Sequence, residues 1–150
     1  MTTSHAERLL LRYGAILVLV AMLTGPLIGQ FPEVELILSA HVAAIIWGTL
    51  MVATGAGLHK LTLGDGERTW LVRTIAGAGY LNWSATLLGA VLGTDDLTPV
   101  HGAGTAGGAA EAVVGALLAV MVICTFASLG ILVKGTLGEA RAADEKRLTG

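Results

Sequence analysis

Charge is what this sequence has least of. Asp, Glu, Lys and Arg make up 13% of its 150 residues, about half the share usual in a soluble domain. That leaves too little polar surface for a water-soluble protein. Net charge is −2 with no basic run, which argues against a nucleic-acid partner. The single cysteine, Cys124, rules out an intrachain disulfide. No HExxH motif and no Cys/His cluster is present, so the three or four ligands of a zinc site are missing. What is abundant is apolar sequence, with a mean hydropathy of +0.76. Glycine is also plentiful, at 21 residues, and small residues let membrane helices approach closely.

Four apolar runs stand out, over residues 9–28, 36–58, 70–92 and 109–133. Each has about the 20 residues that a helix needs to cross a bilayer core. Isolated spans must be helical, because every backbone N–H and C=O needs an internal partner. The expected fold is therefore an all-α membrane protein, a single domain over residues 1–150 built as a four-transmembrane-helix bundle. The first run lacks a small-x-small cleavage site followed by a soluble domain, so it reads as a span and not a signal peptide.

Turn chemistry separates the spans: Pro32 in the first loop, Gly-Asp-Gly at 64–66 in the second. The third loop, "GTDDLTPVHGAGTAGGAAE", is longer than a connection requires, and such loops are often functional. Arg8 and Arg12 flank span 1, and Lys60, Arg68 and Arg73 cluster at loop 2. Lys134, Arg141, Lys146 and Arg147 follow span 4. Loops 1 and 3 carry only Glu33, Glu35, Asp95 and Asp96. The positive-inside rule then predicts cytoplasmic termini in a multi-pass protein of the cell (inner) membrane. Residues 134–150 are expected to form a cytoplasmic tail with an exposed helical extension.

The few polar residues in the spans share a depth. At about 1.5 Å per residue, His41 lies roughly 8 Å below the outer end of span 2. Asn82 falls near the midplane and Glu111 at the outer start of span 4. Thr74, Ala78, Asn82, Thr86 and Ala90 recur every four residues, which makes one small, polar face that points Asn82 into the bundle. Intramembrane polar residues read first as functional. Each also has a simpler reading: Asn82 as interhelical glue, Glu111 as a first-turn acid favoured by the helix dipole. Trp70 reads as an interfacial anchor, and Arg12 as a snorkelling cation. Trp47, Tyr80 and Trp83 lie too deep for an aromatic belt and serve either packing or a pocket wall.

His41 reads equally as a hydrogen-bonded structural residue or as a ligand. A lone histidine can be the proximal ligand of haem iron. His59 could not share that iron, since 18 residues of helix span roughly 27 Å. A haem on His41 would keep an open face, which favours binding and chemistry over electron transfer.

"LSAHVAAIIWGTLMVATG", "GYLNWSATLLGAVLG" and "GTAGGAAEAVV" together resemble the hydroxylaminobenzene mutase family. These small integral membrane proteins convert aryl hydroxylamines to aminophenols. The resemblance covers roughly residues 36–133, and its most specific parts are Leu-Ser-Ala-His at 38–41 and Asn-Trp-x-Ala-Thr-Leu-Leu at 82–88. A fainter similarity reaches styrene oxide isomerase, a homotrimer that binds haem b through a histidine at the start of its second span. That histidine matches His41, and an asparagine of its third span matches Asn82. The resemblance thus implies haem b, a homo-oligomer (a trimer by the distant relative) and an isomerase. There are departures: Trp47 stands where both families tend to carry asparagine, and Ala110 where the mutases usually have glutamine. Ala78 and Thr86 stand where the epoxide isomerase has its acidic and tyrosine pocket residues, which puts epoxide isomerisation second.

The expected function is a Bamberger-type rearrangement of an aryl hydroxylamine to an aminophenol, with haem iron on His41 as Lewis acid. Asn82 and Glu111 are the expected catalytic residues, Asn82 orienting the substrate and Glu111 moving a proton or holding loop 3 as a lid. Trp47, Tyr80, Trp83 and Thr86 are expected to line the site of a small aromatic substrate that enters from the lipid bilayer. A haem-binding or electron-transfer subunit would need a second axial ligand and a redox partner, and the spans offer neither. A scaffold without chemistry would explain the glycine-rich packing but leave three polar groups at one depth unexplained.

Overall fold

The computed structural model describes residues 1–31, 33–96, 104 and 106–149, with side chains through residue 138. Pro32, singled out in the sequence, and His101 of the third loop lie outside the described residues. Four helices follow one another: α1 (Thr3–Thr24), α2 (Val34–Gly57), α3 (Asp65–Leu92) and α4 (Gly108–Thr149). Single 3₁₀ turns over Gly25–Leu27 and Leu58–Lys60 close the first two. All four are long and apolar enough to cross a membrane.

The helices do not match their apolar runs end for end: α1 starts earlier but stops at Thr24, and α4 runs on to Thr149, because capping and breakers set the ends and not hydropathy. Pro26 sits in the 3₁₀ turn after α1, where its missing N–H ends the α-helical ladder. The Gly-Asp-Gly segment is no free turn. Gly64 is the N-cap of α3, and its N–H donates to Glu67 Oε2 at 2.8 Å. Helix α3 therefore begins five residues before the expected span. It ends at Gly93, whose φ of +70° is a left-handed conformation that only glycine adopts cheaply.

Packing follows small residues. Ala6, Leu10, Gly14, Leu17, Ala21 and Thr24 are the buried positions of α1, spaced by three or four so that they share one face. Gly14 and Gly48 meet backbone to backbone: a Cβ on Gly14 would lie 2.6 Å from the Gly48 carbonyl oxygen. Gly79 takes Met51, Leu17 and Trp47 against its bare Cα. Lipid tails are as apolar as leucine, so close van der Waals packing of this kind holds membrane helices together.

The arrangement differs from an even four-helix bundle. Helices α1, α2 and α3 all touch one another, whereas among the described residues α3 is the helix on which α4 chiefly packs. Ile123 and Phe126 of α4 are 68% and 74% exposed, a surface that water would not tolerate and a membrane does. At the end of the molecule that carries the termini, Lys134 pairs with Glu67, Arg68 with Asp65 at 2.7 Å and His59 with Glu7 at 3.5 Å. The loop between α2 and α3 is also tied to α4, the Thr62 N–H donating to the Gly135 carbonyl at 3.2 Å.

Candidate functional site

The last turn of α1 gathers the polar groups of three helices. A carbonyl oxygen has two lone pairs, so one that already closes a helix turn can take a second donor. Ala21 does so: its carbonyl accepts the Gly25 N–H, and His41 Nδ1 of α2 lies 2.7 Å from the same oxygen. A carbonyl only accepts, so Nδ1 carries a proton, and in the neutral ring Nε2 carries the lone pair. Nε2 has no hydrogen-bond partner among the described residues. The ring rests on Gly25, where a Cβ would stand 3.2 Å from Cε1 and 3.4 Å from Nδ1.

Trp83 of α3 reaches the same turn. Its Nε1–H donates to Thr24 Oγ1 at 3.0 Å, and the Thr24 hydroxyl donates to the Val20 carbonyl at 2.9 Å. Thr24 is 2% exposed. Neither Thr24 nor Gly25 was singled out in the sequence. The available signal was a lone polar residue before Gly-Pro at a span's end, where helix carbonyls fall unpaired.

Asn82 lies one turn from buried Ala78, Gly79 and Ala85 on α3, yet it is only half-buried, as is Thr86. The interior face therefore opens at these two positions. The Thr86 hydroxyl is spent on the Asn82 carbonyl at 2.8 Å, while the Asn82 side-chain amide has no hydrogen-bond partner among the described residues. Trp47 packs on α3 one turn before Asn82, its Cβ 3.0 Å from where a Cβ of Gly79 would be.

Two expected site residues stand apart. The Tyr80 hydroxyl donates to the Tyr13 carbonyl at 2.9 Å, eight residues before Ala21 and so about 12 Å away along α1. Tyr80 lines a cleft of about 860 Å³ between α1 and α3, with Tyr13, Thr69 and Arg73. That cleft includes neither His41 nor Asn82. Glu111 lies in the other direction. Its carboxylate accepts the N–H of Asp95 at 2.9 Å and of Asp96 at 3.3 Å, beyond the end of α3 and about 14 Å along that helix from Trp83. With both oxygens taken by loop amides, Glu111 fastens the chain leaving α3 to the start of α4. Replacing it with alanine is expected to speed hydrogen exchange at the Asp95 and Asp96 amides about tenfold to hundredfold, as loss of a charged acceptor does. Nuclear magnetic resonance in detergent would measure it.

Comparison with known proteins follows the same three-helix core and α4. The chain is 30% identical over 137 residues to the hydroxylaminobenzene mutase HabB of Ectopseudomonas oleovorans, covering 87% of this chain and 84% of that protein. No solved structure matches. A model of the styrene oxide isomerase family matches residues 6–137, from the first turn of α1 to beyond the apolar part of α4, and the chain belongs to that family.

Proposed function

We propose that this protein is an intramembrane isomerase that rearranges an aryl hydroxylamine to an aminophenol, with haem b held by His41. The family and the mutase relative support an isomerase. The observation that carries the finer reading is His41, whose Nδ1–H is tied to the Ala21 carbonyl and whose Nε2 is left as a lone-pair donor. Metal-ligating histidines almost always donate their other ring N–H in this way, which sets the tautomer and raises ligand basicity. The glycine under the ring leaves it room, so His41 and its surroundings would fit a ligand to haem iron.

Haem bound at His41 would supply a Lewis acid that draws charge onto a substrate oxygen. The chain's own residues do the rest. The free amide of Asn82 orients the hydroxylamine by hydrogen bonding. Trp47 and Trp83 offer ring faces to an aryl group. The surrounding apolar helices keep out bulk water, which strengthens every electrostatic contact in the site. In the rearrangement the N–O bond breaks and a ring C–O bond forms. The ring proton leaves and the nitrogen gains one, so no co-reactant is needed. An apolar substrate reaches such a site from the lipid phase. The same reading carries a homo-oligomer, in keeping with a fourth helix that, among the described residues, packs chiefly on α3.

Turnover by the purified protein of an aryl hydroxylamine in competition with styrene oxide tests the reading. Faster formation of aminophenol is expected, because buried Ala78 and self-bonded Thr86 offer an epoxide no acid. Isomerised epoxide with untouched hydroxylamine would reverse the order of substrates. Asn82→Ala is expected to keep the haem absorption band and lower kcat about tenfold to hundredfold, roughly 1.5–3 kcal/mol for one hydrogen bond to developing charge. An unchanged kcat would reduce Asn82 to packing.

A further inference from the structure

We infer that Thr24 and Trp83 are positioning residues for the His41 imidazole, acting through the last turn of α1. The inference rests on His41 being the working ligand of the site. Val20 and Ala21 present consecutive carbonyls on that turn. The first takes the Thr24 hydroxyl at 2.9 Å, and the second takes His41 Nδ1–H at 2.7 Å together with the backbone N–H of Gly25. Thr24 then accepts the Trp83 indole N–H at 3.0 Å. One turn is thus held from α3 by Trp83 and presented to α2 at His41.

The chemistry explains why the turn needs holding. α1 stops at Gly25–Pro26, and the last turn of a helix frays more readily than its middle. A threonine hydroxyl bonded to the carbonyl four residues back slightly destabilises a helix locally. Gly25 leaves room for the ring but supplies no side chain to fix it. The tie from Trp83 to Thr24 is the polar contact that anchors this end of α1 to α3. Without it the last turn of α1, with the Ala21 carbonyl held in it by the Gly25 N–H, shifts relative to α2, and an imidazole that loses its acceptor samples both tautomers. Only one of those leaves Nε2 free to bind a metal.

The experiment uses the full chain in detergent micelles, with Trp83→Phe, Thr24→Val, Thr24→Ser and the Trp83→Phe/Thr24→Val double variant. Phenylalanine keeps an aromatic ring without the N–H, and serine keeps the hydroxyl. Helical circular dichroism establishes that each variant is folded. Nitrogen-15 resonances of labelled histidine in haem-free protein, assigned with His41→Ala, report the tautomer; titration with haem reports Kd. In the wild type the proton is expected on Nδ1. Trp83→Phe and Thr24→Val should mix the tautomers and weaken haem binding about tenfold to hundredfold, as loss of an outer-shell partner does. Thr24→Ser should match the wild type. The double variant should be no worse than the worse single one, since both break one hydrogen bond. Folded single variants with an unchanged tautomer and unchanged Kd would overturn the inference, as would losses that simply add. A wild type that binds no haem would defeat the cofactor reading instead, and the tautomer comparison would still decide the positioning role.

Discussion

His41→Ala is expected to abolish the Soret band of haem-supplied protein and to lower turnover of an aryl hydroxylamine by about 10²–10³-fold or more, the range for removing a main electrostatic stabiliser. The fold should survive. His41 is half-buried on α2, and its one described hydrogen bond is to Ala21. Alanine removes that donor, but the Ala21 carbonyl keeps the Gly25 N–H. The cost to stability is then a single net hydrogen bond, about 0.5–1.5 kcal/mol. Absorption spectra and turnover of wild type and variant, beside their circular dichroism, separate the two effects. A haem-free His41→Ala protein with full turnover would eliminate the Lewis-acid reading and leave acid–base chemistry by the chain's own groups.

The largest effect on stability is expected at the crossing of α1 and α2. A Cβ on Gly48 would stand 2.6 Å from Val18 Cγ2 and 2.8 Å from the Gly14 carbonyl oxygen. The second neighbour is backbone and cannot rotate away. Gly48→Leu must therefore push the two helices apart. Overpacking in a close-packed interior typically costs about 1–3 kcal/mol, and here the displacement also breaks the contacts of Leu10, Leu17 and Met51 in the main core cluster. The variant should insert into membranes but denature at lower temperature or detergent strength, and it should lose haem, because His41 of α2 meets Ala21 of α1 across the same interface. Gly57→Ala is the control. No atom lies within 4 Å of a Cβ built there, so its stability should match the wild type. Equal melting temperatures for Gly48→Leu and wild type would show that the helices do not cross at this glycine.

Hydropathy and helical period settle much from sequence alone. The four spans, the breaks between them and the small polar face of α3 all depend on residues near one another in the chain. Desolvated backbone must become helix wherever about 20 apolar residues follow one another. The resemblance at 38–41 and 82–88 likewise reached the family that the comparison supports. Helix ends were less legible. Lys134 pairs with Glu67, and Gly64 caps through the same side chain, so helix continues past the apolar runs on polar contacts that hydropathy does not register.

What only the tertiary structure decided is which polar groups meet. Trp83 and Thr24 are 59 residues apart in sequence, His41 and Ala21 are 20 apart, and nothing in either local pattern says that they share one turn. That depends on where bare glycines allow α1, α2 and α3 to cross. The same crossings separate Tyr80 from His41, carry Glu111 to the loop amides of Asp95 and Asp96, and leave α4, among the described residues, packed chiefly on α3. Sequence determined that each of these residues lies in or beside a membrane helix. The packing of the helices determined their neighbours, because a hydrogen bond is made by distance and direction in space and the chain records only order.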